Sequence, residues 1–223
     1  MPHQKNKKIL IYIFLFLLIG TFNNKNLENI DIVKVNKIYV TGLDEKSNKK
    51  LMNNLNFLKI SNLFFLNDKE ITKIITANNL VEDYFVFKKY PSTLNISISK
   101  TKFLAKVKKN GNIFFLGSNG KLIKEIITEQ TVPIIFGNFE NKNFFELKKA
   151  IDETYFDYDE IKNLFSFKSG RWDIETNSGI LIKLPKKNLK QSLKLSINIL
   201  SKDNQKKINK IDLRQLNQII ING

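Results

Sequence analysis

Few side chains in this sequence are equipped for catalysis. The single histidine is His3, and there is no cysteine among the 223 residues. Serine–histidine and cysteine–histidine nucleophiles are therefore excluded, as are histidine-rich and thiolate metal sites. Disulfides are excluded with them, which leaves the redox compartment undetermined. Carboxylates remain: Asp152, Glu153, Asp157, Asp159 and Glu160 cluster. They lack metal-loop spacing and the glycine such a loop needs at its turn, so the cluster reads as a solvated acidic face. Nothing supports a serine–lysine dyad. We expect no catalytic residue, no metal ligand, no cofactor and no small-molecule substrate.

The formal net charge of +16 invites a nucleic-acid reading. However, only Arg171 and Arg214 of the 37 basic residues are arginine, and base edges and phosphates favour the planar guanidinium fork. The lysine surplus, in a chain rich also in Asn, Ile and Phe, reads as composition and solubility, and no nucleic-acid partner is expected. Lysines also suit contact with anionic lipid.

These side chains must be carried by folded elements, for which 42% hydrophobic and 11% aromatic content is ample. Lys5, Lys7 and Lys8 precede an uncharged apolar run from Ile9 to Phe22. As a helix that run covers about 21 Å, short of a ~30 Å hydrocarbon core. It ends without the small-residue pair of a cleavage site. The expectation is an uncleaved signal-anchor extended by snorkelling lysines, with its N-terminus cytoplasmic.

Farther on, Val33, Val35, Ile38 and Val40 suggest an extended segment ending at Thr41-Gly42. Asp44 or Ser47 can cap a helix carrying Leu51, Leu55 and Leu58 on one face. Asn67 with Glu70 is a capping-box variant, Leu66 and Ile71 are placed for a hydrophobic staple, and Ile71, Ile74 and Ile75 form a stripe. From 81 to 100 the chain reads as a hairpin. Val81, Asp83, Phe85 and Phe87 take one side of its first strand, Tyr90-Pro91-Ser92-Thr93 breaks the run, and Leu94, Ile96 and Ile98 alternate with polar residues. Strand, helix, helix, strand, strand is the order of a small α+β domain.

Beyond Lys100, Lys109-Asn110-Gly111-Asn112 signals a hairpin, as does Asn177-Ser178-Gly179, and Gly117–Gly120 a turn. Phe144, Leu147, Ile151 and Tyr155 lie at helical spacing, read as core contacts, and Leu189, Leu193, Ile197 and Leu200 form a second stripe. Trp172 reads as core. Ile211–Arg214 and Ile219–Ile221 read as short terminal strands.

Taken together, IYVTGL (38–43), NLFFL (62–66), VEDYFVFKKYPSTLNISI (81–98), FLGSNGKLI (115–123), RWDIETNSGILIKLP (171–185) and KIDLR (210–214) resemble the FtsQ/DivIB family of bacterial division proteins, whose extracytoplasmic part begins with a POTRA domain. The resemblance implies a cytoplasmic tail (1–8), a transmembrane segment (9–22), a POTRA-like βααββ domain (33–101) and a mainly antiparallel β domain with flanking helices (102–223). It implies a single-pass inner-membrane scaffold at the division septum, without catalysis, that takes the extracytoplasmic segment of FtsB, and with it FtsL, by strand addition at its C-terminal edge. By motif position Arg214 matches a basic residue contacting acidic partner groups, and Lys186 a second one. Gln215, Leu216, Ile219, Ile220 and Ile221 complete the expected partner-binding set. A POTRA protein of outer-membrane assembly or secretion and a membrane-tethered polyanion-binding protein are the alternatives.

Overall fold

The computed structural model describes the backbone of residues 3–22, 34–124, 130–202, 208–215 and 218–222. The chain divides into two compact units, Met1–Lys100 and Thr101–Gly223.

Helix α1 (His3–Phe22) opens the first unit, and its residues 9–19 are all exposed and apolar. No helix among the described residues is long and apolar enough to cross a membrane. Val33, expected to begin an extended segment, lies outside the described residues. Next come β1 (Lys37–Thr41), α2 (Glu45–Asn54), α3 (Asp68–Thr76), β2 (Val81–Lys89) and β3 (Thr93–Lys100). The three strands form one sheet in the order β1-β3-β2, with β1 parallel and β2 antiparallel to β3.

Asp44, not Ser47, caps α2, its carboxylate accepting from the Ser47 N–H at 2.9 Å. Asn67 caps α3 through the Lys69 N–H. Helix α2 ends at Asn54, so Leu55 and Leu58 reach the core from its C-cap and a following 3-10 turn. They join Leu51, Leu63, Leu66, Ile71 and Ile75 against Ile38, Leu94, Ile96 and Ile98 of the sheet.

The hairpin departs from simple alternation. A register shift between Val81 and Asp83 inserts one residue into β2. Val81 therefore shares the core face with Tyr84 and Val86, while Phe85 and Phe87 point outward and are exposed.

Among the described residues of the second unit nine strands form one sheet, in the order β12-β11-β10-β9-β8-β7-β4-β5-β6. They are β4 (Phe103–Lys109), β5 (Asn112–Gly117), β6 (Leu122–Lys124), β7 (Ile134–Phe136), β8 (Ile161–Ser166), β9 (Trp172–Thr176), β10 (Leu181–Lys183), β11 (Lys210–Gln215) and β12 (Gln218–Asn222). Helices α4 (Asn141–Asp152) and α5 (Leu189–Lys202) each join two neighbouring parallel strands, β7 to β8 and β10 to β11. A parallel pair needs such a crossover. The other contiguous pairs, apart from parallel β4 and β7, are antiparallel.

Trp172 is buried at the core's centre, its ring 5.8 Å from Phe139 and 6.2 Å from Phe144. Phe144, Leu147 and Ile151 are buried with it. Tyr155 is not: α4 stops at Asp152, and Tyr155 is 99% exposed. The periodicity outlasts the helix by one turn.

Candidate partner-binding edge

Period-two alternation in β11 sends Ile211 and Leu213 into the core and leaves Asp212 and Arg214 on the opposite face. Two residues apart on one face, the pair closes into a fork. Arg214 Nε donates to both Asp212 carboxylate oxygens, at 2.8 and 3.0 Å, and Nη2 donates to Oδ2. The Arg214 backbone N–H adds a bond to Oδ1 at 3.1 Å. The guanidinium bond holds the Asp212 carboxyl below the usual range, and the carboxylate in turn raises Arg214. Arg214 is thus held one strand in from the rim with its charge already partnered, and an incoming carboxylate must share or displace Asp212.

Register extends this site into a row across the sheet. Asp173 of β9 faces Lys183 of β10, which faces Asp212 of β11, which faces Ile220 of β12. Asp173 is buried, and desolvation raises its carboxyl against the pull of Arg171, Lys183 and Arg214. Its Oδ1 lies 3.8 Å from Arg171 Nε, and neither buried atom has a hydrogen-bond partner. The Arg171 guanidinium instead sits 4.1 Å over the Phe167 ring.

Strand β12 pairs with β11 on one side and ends the sheet on the other. All five of its residues are exposed, Ile219, Ile220 and Ile221 at 46–49%. The register shifts between Asp212 and Gln215, so Gln215 meets Gln218 and Ile219 falls in the irregular stretch. Leu216, the remaining member of the expected set, lies outside the described residues. The end of the Lys186 side chain lies beside Gly170 in the β8–β9 turn, where a Cβ would come within 3.2 Å of its Cε.

Sequence reading missed a groove of about 420 Å³ beside the rim, between the start of α5 and β11–β12. Asn188, Gln191, Leu195, Leu213 and Ile219 line it. Asn188, at φ 62°, turns the chain into α5. An Asn in a polar run before a helical stripe was the available signal. Of the acidic cluster, Asp152 pairs with Lys148, Glu153 with Lys190 at 3.0 Å, and Asp157 caps a 3-10 turn. No group of three metal-ligating residues occurs among the described residues.

Two family models match the chain: the FtsQ-type POTRA domain over residues 33–100 and the C-terminal region of the cell division protein FtsQ/DivIB over residues 105–214. The chain is 26% identical over 193 residues to the cell division protein FtsQ of Rickettsia bellii, covering 84% of this chain and 72% of that one. It is 24% identical over 194 residues to its counterpart in Rickettsia prowazekii, with the same coverage. The cell division protein DivIB of Staphylococcus aureus matches at 25% over 122 residues, 54% of this chain and 28% of that one. Among solved structures, the major extracytoplasmic domain of DivIB from Geobacillus stearothermophilus matches at 18% identity and a TM-score of 0.35, covering 49% of this chain and 99% of that one.

Proposed function

Because the chain belongs to the FtsQ/DivIB family of cell division proteins, we propose that it is a single-pass inner-membrane scaffold of the division septum, with no catalysis of its own. Its partner is the extracytoplasmic segment of FtsB, carrying FtsL and the septal peptidoglycan machinery with it. The partner strand adds to β12 through main-chain hydrogen bonds, as exposed sheet edges allow. The observation that carries this reading is the outer side of β12, which pairs with no strand among the described residues while all its side chains are exposed.

Arg214 and Asp212 sit one strand inward and suit a partner that brings a carboxylate to the guanidinium. The groove beside Ile219 gives apolar residues of the partner a place to go. Gln215, Ile219, Ile220 and Ile221 lie along this rim. Helix α1 is the proposed anchor. Of its 20 residues the uncharged run from Ile9 to Phe22 covers about 21 Å, so the anchor relies on the lysines before Ile9 snorkelling to the headgroups and on local thinning of the bilayer. The lysines before Ile9 place its start in the cytoplasm and the bulk outside.

The test is a chain ending at Asn217. It should lose FtsB capture in a binding titration and lose midcell recruitment of a fluorescent fusion. Its second unit should remain folded, because β12 contributes no buried residue. Undiminished capture by that chain would exclude strand addition at this edge.

A further inference from the structure

We propose that one end of the first unit docks on the anionic surface of a lipid bilayer, an inference resting on α1 being the anchor. Three separate stretches meet there. The Val35 N–H donates to the Ser61 carbonyl at 3.1 Å, the Asn36 N–H donates to the Ser92 carbonyl at 2.8 Å, and Lys34 bridges to Asn62. The rings of Phe64 and Tyr90 stack at 4.8 Å, closing the arrangement.

This end is apolar where a soluble surface would be polar. Ile60 is 81% exposed, and Phe64, Phe65 and Tyr90 are exposed beside it. Each lies on a 3-10 helical segment or a turn. Lys34, Lys37, Lys59, Lys88 and Lys89 fall within the same three stretches, 34–37, 56–66 and 84–93, which contain no aspartate or glutamate. Exposed aromatic rings with lysines and no carboxylates are the chemistry of the headgroup layer. The rings enter the interface, and the ammonium groups are drawn to the negative leaflet.

Geometry favours the same occupant. Lys34 follows the end of α1 by twelve residues, which reach no more than about 40 Å even when fully extended. An anchored α1 therefore keeps this end within a domain's width of the lipid. A peptide partner is less well served, because the apolar tips lie on turns and offer no strand edge.

The experiment uses the full chain reconstituted in vesicles of phosphatidylcholine, with and without phosphatidylglycerol, followed by amide hydrogen exchange. Amides of 59–65, 88–90 and 92 should exchange about tenfold more slowly when phosphatidylglycerol is present. Lys88→Glu with Lys89→Glu should erase that difference while leaving exchange at 94–98 unchanged. Equal rates in both lipids would overturn the proposal. So would slowing that follows protein density whatever the lipid, which indicates a second copy, or equal slowing by polyglutamate without lipid, which indicates an acidic polymer. Flotation with pure phosphatidylcholine vesicles in high salt reads the anchor separately. Loss of flotation overturns the α1 reading, whereas flotation with no exchange difference overturns the docking surface alone.

Discussion

Asp173 and Asp212 stand in one row of the sheet, separated by Lys183, yet their surroundings push them in opposite directions. Asp212 is held down by the Arg214 bond, so its contribution is present above the ordinary aspartate range and is lost as pH falls through its lowered folded value. Asp173 is held up by burial, so the folded state favours its proton, and stability is lost as pH rises from the ordinary range through the raised value. The two amide substitutions should therefore differ in sign at neutral pH. Asp212→Asn should lower the unfolding midpoint by about 2–4 °C and lose that deficit in acid. Asp173→Asn should raise the midpoint at neutral pH, the gain shrinking on acidification. Trp172 is the only tryptophan and is buried in the second unit, so its fluorescence follows the relevant transition. A shift of the same sign for both variants would refute the assignment. The row was only partly legible in the sequence. Period-two spacing places Asp212 and Arg214 on one face, but the burial of Asp173 depends on pairing that no local pattern encodes.

At the scale of elements, turns were the most readable feature. Asn110 and Gly111 both take positive φ, 51° and 78°, the geometry that an Asn-Gly hairpin turn demands. The caps at Asp44 and Asn67 were legible for the same reason, a local side chain meeting a local N–H. The extra residue in β2 was not. Alternation set Val81 with Phe85 and Phe87, and only pairing with β3 shows the shift that separates them. The parallel crossovers were hidden: strands as short as β7 and β10 read as apolar segments but carry no signal of which neighbour they pair with or in which direction. Gly42 shows how tightly β1 is closed against β3. Its φ is +107°, and a Cβ there would overlap the Ile98 carbonyl. Gly42→Ala should cost the first unit about 2–4 kcal/mol, read as faster amide exchange at 94–98. Wild-type protection in that strand would show that the loop relaxes at no cost.

At the scale of the molecule, the two sheets among the described residues end in four outer strands, which differ in how they discourage unwanted pairing. Strand β6 is three residues long and ends in Lys124; β1 begins with Lys37; β2 is bulged and carries charges at both ends. Short length, lysines and bulges are the usual defences of a sheet edge. Strand β12 has five residues, no charge and three consecutive isoleucines. An edge left this way either finds its proper partner or promotes association between copies. Ile220→Lys tests that choice with little disturbance to the fold, because Ile220 is half exposed and faces Asp212, which can receive the ammonium. The variant should bind FtsB at least about tenfold more weakly and remain monomeric at higher concentration. Its Trp172 unfolding midpoint should stay where it is. Truncation after Lys210 is a poorer probe, since it also removes Ile211 and Leu213 from the core and confuses lost capture with lost folding. If Ile220→Lys leaves capture of the proposed FtsB partner undiminished, strand addition at β12 is excluded, and the exposed isoleucines need a different explanation.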